Sequence, residues 1–366
     1  MNKFIPLLLF FFFITNSIAA AFNPVSASVP VEDSWNTKTP MNQARWGLEA
    51  VTVDGKIYAI GGQTDNHGSF VGTNERYDPK KDTWFTLKSM PTSRSNFGIA
   101  EYQGKIYCIG GYTGNVLDVN EVYDIATNKW STKTALPVSE SNVQAHVVDE
   151  KIFVIASRLL YMYDPVTDSW TQKASLPKTI FQSDPYVYSA AVDNQIIVIT
   201  SDEHLEVLIY NPKTDVWSEG KTTGYQSGFG NAIAVATSGH FAPQRIYMVC
   251  GGPGIFFMPI SFVMAYDPLN GTWEQIKNYP TPRARFGVAV LNDVLYVIGG
   301  ALLGTEGNPE ASPVNEQYVP ISYNGTLPSA TASTAPIIAT LAIITGTIAI
   351  GTFFYFKKKE KTGFRL

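Results

Sequence analysis

Charged side chains recur at one fixed position in this 366-residue chain, eleven residues before each of five short apolar segments. They are Arg45, Arg94, Glu140, Asp184 and Arg283. A second column follows two residues later, with Gly47, Asn96, Asn142, Tyr186 and Arg285. Guanidinium groups bind carboxylates and phosphates, and carboxylates accept hydrogen bonds from hydroxyl and N–H groups. If the repeated segments converge, these columns predict a site for a polar ligand, with an arginine side and an acidic side.

Two other roles are open to the same residues. The arginines could instead join neighbouring repeats to each other. A carboxylate beside an arginine could also act as a general acid or base, but the pattern selects no single carboxylate, so we predict no catalytic residue. The four histidines show no paired spacing, and we therefore predict neither a metal site nor a cofactor.

The elements that must position these columns are repeats of roughly 50 residues. In five of them a tyrosine is followed seven residues later by a tryptophan, as in Tyr77 and Trp84. Four apolar segments rich in β-branched and aromatic residues end in a glycine pair, as in residues 57–62. Such segments are typical of strands covered on both faces. Each repeat predicts a four-stranded antiparallel sheet.

The two ends of the repeat series complement each other. Trp35 begins the series without a preceding tyrosine, and Tyr318 ends it without a following tryptophan. Residues 33–35 match residues 82–84, so the N-terminal segment can supply the missing fourth strand of the last sheet. A closed ring of six sheets hides the strand edges that an open array would expose.

The glycine pair followed by a spaced tyrosine and tryptophan resembles the kelch motif. Residues 30–322 are similar to the six-bladed kelch and galactose oxidase-like β-propellers, an all-β fold closed here by the N-terminal strand. The resemblance implies that loops converge over a central channel and that the first arginine of each stretch often lines its mouth. The predicted ligand-binding residues are therefore Arg45, Arg94, Asn96, Glu140, Asn142, Asp184, Tyr186, Arg283 and Arg285.

The resemblance implies a binding or protein-interaction module whose ligand is a protein, peptide or glycan. The alternative is a carbohydrate-acting mutarotase or epimerase, because exported six-bladed kelch proteins resemble sialic acid epimerases. The copper radical oxidases of the wider superfamily need histidine pairs and a cross-linked cysteine, which this chain does not offer. Of the two alternatives, we favour the binding module over the enzyme.

The chain ends carry targeting signals. Residues 1–21 have the layout of a secretory signal peptide, with Lys3, an apolar run and three alanines. Residues 337–356 contain no charge and are followed by lysines in the tail 357–366, which predicts a transmembrane helix with a cytoplasmic tail. Residues 323–336 form a Ser/Thr-rich stalk. These signals predict a single-pass type I protein of the cell membrane with an extracellular, monomeric propeller.

Charge, cysteines and acceptor motifs complete the picture. Without its two ends the chain has 21 Lys and Arg against 30 Asp and Glu, which argues against nucleic acid as a partner. Cys108 and Cys250 fall at different strand positions in distant repeats, so we expect two buried free thiols. Asn270 and Asn324 begin N-glycosylation motifs.

Overall fold

The computed structural model describes residues 30–65, 69–177, 186–201, 205–221, 230–252, 259–304 and 308–327. The predicted signal peptide (1–21), transmembrane helix (337–356) and cytoplasmic tail (357–366) lie outside these residues, as does most of the stalk. Within the described ranges no helix is long and apolar enough to cross a membrane. All the elements of the fold in these ranges are strands.

Six antiparallel sheets of four strands follow one another along the chain, so the predicted six-bladed propeller is confirmed. Blade 1 has β2 Glu49–Val53, β3 Lys56–Ile60, β4 Asn74–Asp78 and β5 Thr83–Leu87. Blade 2 has β6 Gly98–Tyr102, β7 Lys105–Ile109, β8 Asn120–Asp124 and β9 Lys129–Lys133. Blade 3 has β10 Gln144–Val148, β11 Lys151–Ala156, β12 Leu159–Asp164 and β13 Ser169–Lys173.

The second half of the ring repeats this order. Blade 4 has β14 Tyr186–Val192, β15 Gln195–Ser201, β16 Leu205–Asn211 and β17 Val216–Glu219. Blade 5 has β18 Ala232–Ala236, β19 Ile246–Cys250, β20 Phe262–Asp267 and β21 Thr272–Gln275. Blade 6 has β22 Gly287–Leu291, β23 Val294–Ile298, β26 Asn315–Val319 and the N-terminal strand β1 Ser34–Lys38. A small hairpin, β24 Ala301–Leu303 and β25 Pro309–Ala311, is inserted in blade 6.

The N-terminal strand closes the ring, as the unpaired Trp35 predicts. Strand β1 pairs antiparallel with β26, and Trp35 lies opposite Tyr318 in the register. Their rings are 5.0 Å apart, close to the 4.8–5.1 Å of the five pairs formed within a repeat. The first and last segments of the propeller therefore form one sheet, which leaves no open blade edge at the join.

The core lies between the blades. Six clusters of buried side chains each join two neighbouring blades around the complete ring. The second strand of each blade contributes most to them, since all residues of β19 and β23 are buried. Cys108 and Cys250 lie in such strands as buried free cysteines, as expected. Burying each large apolar side chain contributes about 1.5–3 kcal/mol, so packing between blades provides most of the fold's stability.

The tyrosine and tryptophan columns join each blade to the one before it. In blade 4 the carboxylate of Asp215 accepts hydrogen bonds from the Tyr210 hydroxyl (2.7 Å) and from the backbone N–H of Ala174 in blade 3 (2.9 Å). The Trp217 indole N–H donates to the Ala174 carbonyl at 2.7 Å. Asp215 has a positive φ of 57°, which places its carboxylate between the two blades. The spacing of these residues therefore serves the fold.

Candidate functional site

The first column of charged residues separates into two groups in the structure. The side chains of Arg45, Arg94 and Arg283 are completely buried, so they do not line the channel mouth. Each forms an ion pair with a glutamate on the third strand of its own blade. The pairs are Arg45–Glu75, Arg94–Glu121 and Arg283–Glu316. The prediction that these three arginines contact a ligand is wrong, because the ion pair and backbone carbonyls hold each guanidinium inside its blade.

The Arg45 guanidinium illustrates this arrangement. It donates to Glu75 at 2.7 Å and to the carbonyls of Gly61 (2.6 Å) and Ala59 (3.3 Å). Burial lowers the pKa of Arg45, and the Glu75 carboxylate opposes that shift. A buried guanidinium is tolerated only when paired and hydrogen-bonded in this way.

Backbone carbonyl groups of the first column, and not its side chains, form the hydrogen bonds that join neighbouring blades. The N–H of Gly62 in blade 1 donates to the Arg94 carbonyl at 2.9 Å, and that of Gly111 in blade 2 donates to the Glu140 carbonyl at 2.8 Å. Gly300 in blade 6 donates to Arg45 in the same way. These glycines have φ values above 100°, and a Cβ on Gly62 would lie 2.7 Å from the Trp46 carbonyl oxygen. The alternative prediction, that these residues join neighbouring repeats, is thus correct for their backbone carbonyl groups.

The third strands show which blades need an arginine. Two residues before the tyrosine, blades 1, 2 and 6 have the buried glutamates of the ion pairs. The other three blades have Tyr161, Leu208 and Met264 there, and all three are buried. In blade 3 the arginine position holds Glu140, which has no buried partner to meet and lies half-buried at the channel. In blade 3, whose third strand has no glutamate at this position, the side chain at the arginine register therefore reaches the channel.

The second column forms an arc at the mouth of the channel that is hydrogen-bonded across blades 6, 1, 2 and 3. Gly47, Asn96, Asn142, Asn231 and Arg285 all have positive φ values between 50° and 64°. Backbone hydrogen bonds run from Gly47 to Arg285 (2.6 Å), from Asn96 to Gly47 (3.1 Å) and from Asn142 to Asn96 (2.8 Å). Glycine and asparagine suit this left-handed conformation. The backbone thus fixes the positions at which these side chains enter the channel.

A cavity of about 600 Å³ occupies the channel mouth. Its polar and charged lining includes Glu49, Asn96, Glu140, Asn142, Asn231 and Arg285. Of the predicted residues, Asn96, Glu140, Asn142 and Arg285 therefore lie at one cavity. Asp184 and the side chain of Tyr186 lie outside the described residues. Sequence alignment missed Asn231 because blade 5 has a longer first hairpin, although the asparagine before an apolar strand is visible in the sequence.

The cavity has opposite charges on opposite blades. Arg285 of blade 6 is half-buried, with its guanidinium 5.1 Å from the Trp46 ring centroid and its Nε 3.4 Å from the Asn231 amide oxygen. Glu140 of blade 3 is across the ring, and its carboxylate accepts the N–H of Ser141 at 2.9 Å. The sequence predicts four arginines on the positive side of the mouth. In the described lining of the cavity that side has one arginine, Arg285.

Glu49, at the start of β2, is a charged residue of the channel that sequence reasoning missed. It lines the mouth cavity and also a second, deeper cavity of about 270 Å³. Burial raises the pKa of Glu49 well above its usual range. The deeper cavity also contains His146, whose ring Nε2 lies 2.7 Å from the Ser189 hydroxyl. Burial lowers the pKa of His146 to about 4, so the ring is neutral at pH 7.

No metal centre is evident in this region. Across the described ranges, no three or more His, Cys, Asp or Glu side chains are grouped so that they could hold a metal ion. Two of the four histidines, His67 and His204, lie outside those ranges. The chemistry that the described cavity offers is hydrogen bonding and charge.

Comparison with known proteins agrees with the repeat pattern. The kelch motif family model matches residues 45–91 and 93–137. The chain is 30% identical over 87 residues to Kelch-like ECH-associated protein 1B of Danio rerio, covering 22% of this chain and 14% of that protein. It is 31% identical over 151 residues to Kelch-like protein 36 of Bos taurus, covering 40% of this chain and 23% of that protein. The match spans less than a quarter of either relative's length.

The solved structure of YjhT covers 75% of this chain and 96% of its own, with a TM-score of 0.59 and 14% sequence identity. At that identity the likeness shows the fold alone. Residues 45–91 and 93–137 thus carry kelch motifs, and the six four-stranded sheets with the ring closure at Trp35 give the described chain a six-bladed β-propeller fold.

Proposed function

We propose that the protein is a surface-displayed kelch-repeat binding module, anchored in the membrane, that holds a polar segment of a protein, peptide or glycan at the channel mouth. The observation that supports this most strongly is the 600 Å³ cavity, because amides, two carboxylates and a guanidinium converge there. Such a set of donors and acceptors suits hydroxyl and amide groups of a ligand.

The path of the C-terminal segment supports an orientation for this module. The N–H of Asn324 donates to the Phe241 carbonyl at 2.7 Å, and Tyr323 is buried. Phe241 belongs to the loop between β18 and β19, at the end of the blade opposite the channel mouth. If residues 337–356 form the proposed anchor, the channel mouth faces away from the membrane.

The topology can be tested in cells. An epitope tag inserted before residue 30 should be accessible on intact cells, whereas a tag at residue 366 should require permeabilisation. Deleting residues 337–356 should release the protein into the medium. Retention of the deletion variant in the cell membrane would contradict the anchor.

Glycosylation would give independent support for export. Asn270 and Asn324 are both exposed, so an oligosaccharide can be attached at either site without unfolding the blade. We expect a mass increase that disappears in the Asn270→Gln/Asn324→Gln double variant. An unmodified mass for the protein expressed in eukaryotic cells would argue against passage through the secretory pathway there.

Ligand binding is tested by glycan and peptide arrays probed with the full-length chain in mild detergent. The selected ligand should bind at least about tenfold more weakly to Asn142→Ala and Arg285→Ala, since each loses a hydrogen bond at the cavity. Lys129→Ala, on the exposed outer strand β9, is the matched control and should bind normally. Equal affinity for all four proteins would exclude the mouth as the binding site.

A second function, carbohydrate mutarotation, is favoured by one observation. Glu49, whose pKa is raised by burial, is the candidate proton donor, and Glu140 is a second carboxyl group that lines the same cavity. NMR exchange spectroscopy on any sugar that binds should then show accelerated anomer exchange that Glu49→Gln abolishes. Anomer exchange at the uncatalysed rate would leave the binding module as the only proposal.

A further inference from the structure

The two cavities of the channel share part of their lining, and we call this shared part the neck. Four residues line both cavities and define it: Glu49, Val143, Gln144 and Ile233. They come from blades 1, 3 and 5, so the neck is surrounded on three sides. Blades 2 and 6, which flank Glu49 in the ring, have glycine at the same register. Because the Val143 side chain is buried in the core between blades, the neck offers one carboxyl group, one amide and the half-buried aliphatic side chain of Ile233.

The Glu49 carboxyl has no hydrogen bond or ion pair with any residue that the structure describes. This differs from the buried glutamates of the ion pairs, each of which meets an arginine. A desolvated carboxylate without a partner is unfavourable, so it must either stay protonated or receive a positive group from outside. Because no cation among the described residues is paired with it, Glu49 is the group in the channel best placed to bind one from outside.

The other charged and titratable groups of the two cavities leave room for a cation. In the described lining these are Arg285, Glu140 and the Tyr188 phenol at the mouth and His146 in the deeper cavity. His146 is neutral at pH 7, so the charged groups of the described lining are two carboxyl groups and a single guanidinium. Ile233, half-buried at the neck, offers an apolar surface for a chain of methylene groups.

We propose that the neck binds the primary ammonium group of a lysine-like side chain, with the ammonium on Glu49 and Gln144 and the aliphatic stem against Ile233. This inference rests on the proposed binding function and names the ligand chemistry of its site. Lysine suits the neck because a slender stem carries a compact charge with three donors, whereas a planar guanidinium is broader.

The test uses two short peptides and the full-length chain in detergent. The probes are acetyl-glycyl-lysyl-glycine amide and its norleucine counterpart, which keeps the stem and lacks the charge. At pH 7.5 we expect the lysine peptide to bind at least about tenfold more tightly, as a charge-assisted hydrogen bond at a desolvated site would give. In Glu49→Gln this advantage should disappear. The matched control is Glu101→Gln in β6, because that carboxylate is already hydrogen-bonded to the Gly104 N–H at 2.9 Å.

Proton exchange provides a second measurement that needs no assumption about absolute affinity. An ammonium group favours the ionised carboxyl, so binding should shift Glu49 toward the ionised form and release a proton at any pH below its raised pKa in the free protein. Calorimetry in buffers of different ionisation enthalpy should detect this release. The affinity for the lysine peptide should rise by up to about tenfold per pH unit below that pKa, and the Glu49→Gln variant should show neither effect.

Each outcome decides the inference separately from the proposed function. Equal or absent binding of the two peptides overturns the lysine assignment, and so does a lysine advantage that survives in folded Glu49→Gln. The array ligand and the Asn142→Ala variant test the mouth independently. If the array ligand still depends on Asn142 while lysine has no advantage, the binding function stands and the neck assignment fails.

Discussion

Blades 6, 1 and 2 and blades 3, 4 and 5 divide the ring into two halves that use the same repeat differently. In the first, the arginine half, each blade buries an arginine against a glutamate of its third strand. In the second, the open half, the third-strand position is apolar, and in blade 3 Glu140 replaces the arginine and lines the cavity. Because blade 3 lacks the internal ion pair, its charged side chain at this position lies at the channel.

This comparison separates residues that stabilise the ring from residues that can meet a ligand. Arg94 and Glu140 occupy the same register of adjacent blades, and both accept a glycine N–H through the backbone carbonyl. The two side chains differ only in where they lie. In blade 2 the side chain is buried against a third-strand glutamate, whereas in blade 3, whose third strand has no glutamate there, it lies at the channel. Charge at this register is therefore no evidence of binding unless the third-strand residue is also considered.

The largest effect is expected at the closure in the arginine half. Deleting residues 30–40 removes β1, including the Trp35 indole and its hydrogen bond to the Lys277 carbonyl at 2.7 Å. The free energy of unfolding should fall by more than the about 3–5 kcal/mol of a single buried Trp→Ala change. Chemical denaturation measures this loss. An unchanged denaturation midpoint would mean that the ring does not depend on its N-terminal strand.

Breaking one ion pair should cost almost as much. Arg94→Met leaves Glu121 buried without its partner, so the free energy of unfolding should fall by about 3–5 kcal/mol. Adding Glu121→Leu imitates the apolar third strand of the open half and should restore most of the loss. In Glu140→Gln, at the same register of blade 3, stability should change by less than about 0.5 kcal/mol. A similar loss in Arg94→Met and Glu140→Gln would remove the distinction between the halves.

The seam between the halves should be sensitive to acid. The Asp293 carboxylate of blade 6 accepts four backbone N–H groups of blade 5, including those of Phe241 (2.7 Å) and Ala242 (3.1 Å). Burial alone would raise the pKa of Asp293, but these hydrogen bonds outweigh it and lower the pKa below its usual range. Its contribution is therefore complete above about pH 4 and is lost as the pH falls through the lowered value.

We expect Asp293→Asn to reduce the free energy of unfolding by about 1–3 kcal/mol at pH 7, because a charged acceptor becomes a neutral one. The difference from the wild type should shrink as the pH falls below about 4. Urea denaturation at pH 3 and pH 7 measures both values. A constant difference at the two pH values would show that ionised Asp293 does not hold the seam.

The smallest effect concerns two tryptophans within the open half. Trp217 donates its indole N–H to Ala174, whereas the buried indole nitrogen of Trp273 has no partner among the described residues. Trp217→Phe should therefore cost about 0.5–1.5 kcal/mol more than Trp273→Phe, since both lose similar ring area. Thermal unfolding of the two variants checks this. Equal losses would imply that the indole hydrogen bond contributes nothing to the join between blades.

The ring was predictable from the sequence and much of the site was not. The Tyr–Trp spacing and the orphan Trp35 report packing contacts that repeat with the period of the blade, so counting them predicts six sheets and their closure. Whether an arginine is buried depends on a glutamate partner about 30 residues further along the chain. Glu75 and Glu121 were visible in the sequence, two residues before their tyrosines, and comparing them with Leu208 and Met264 would have predicted burial.

Glu49 could not be found in this way. Its column in the repeat contains glycine in two blades and glutamine, tyrosine and an aliphatic residue in the other three, so no charged residue recurs. Its importance arises from desolvation where the first strands of six blades converge, which is a property of the closed ring. The same applies to the single arginine that remains at the mouth, Arg285, whose neighbours come from other blades.

The central claim is that the arginine register stabilises the blades while the second column at the mouth binds the ligand. It is tested most directly by titrating the array-selected ligand against two folded variants, Arg94→Met/Glu121→Leu and Arg285→Ala. We predict that the first keeps its affinity within about threefold and the second loses at least about tenfold, the effect of one charged hydrogen bond. Loss of affinity in the first with unchanged binding in the second would contradict the account.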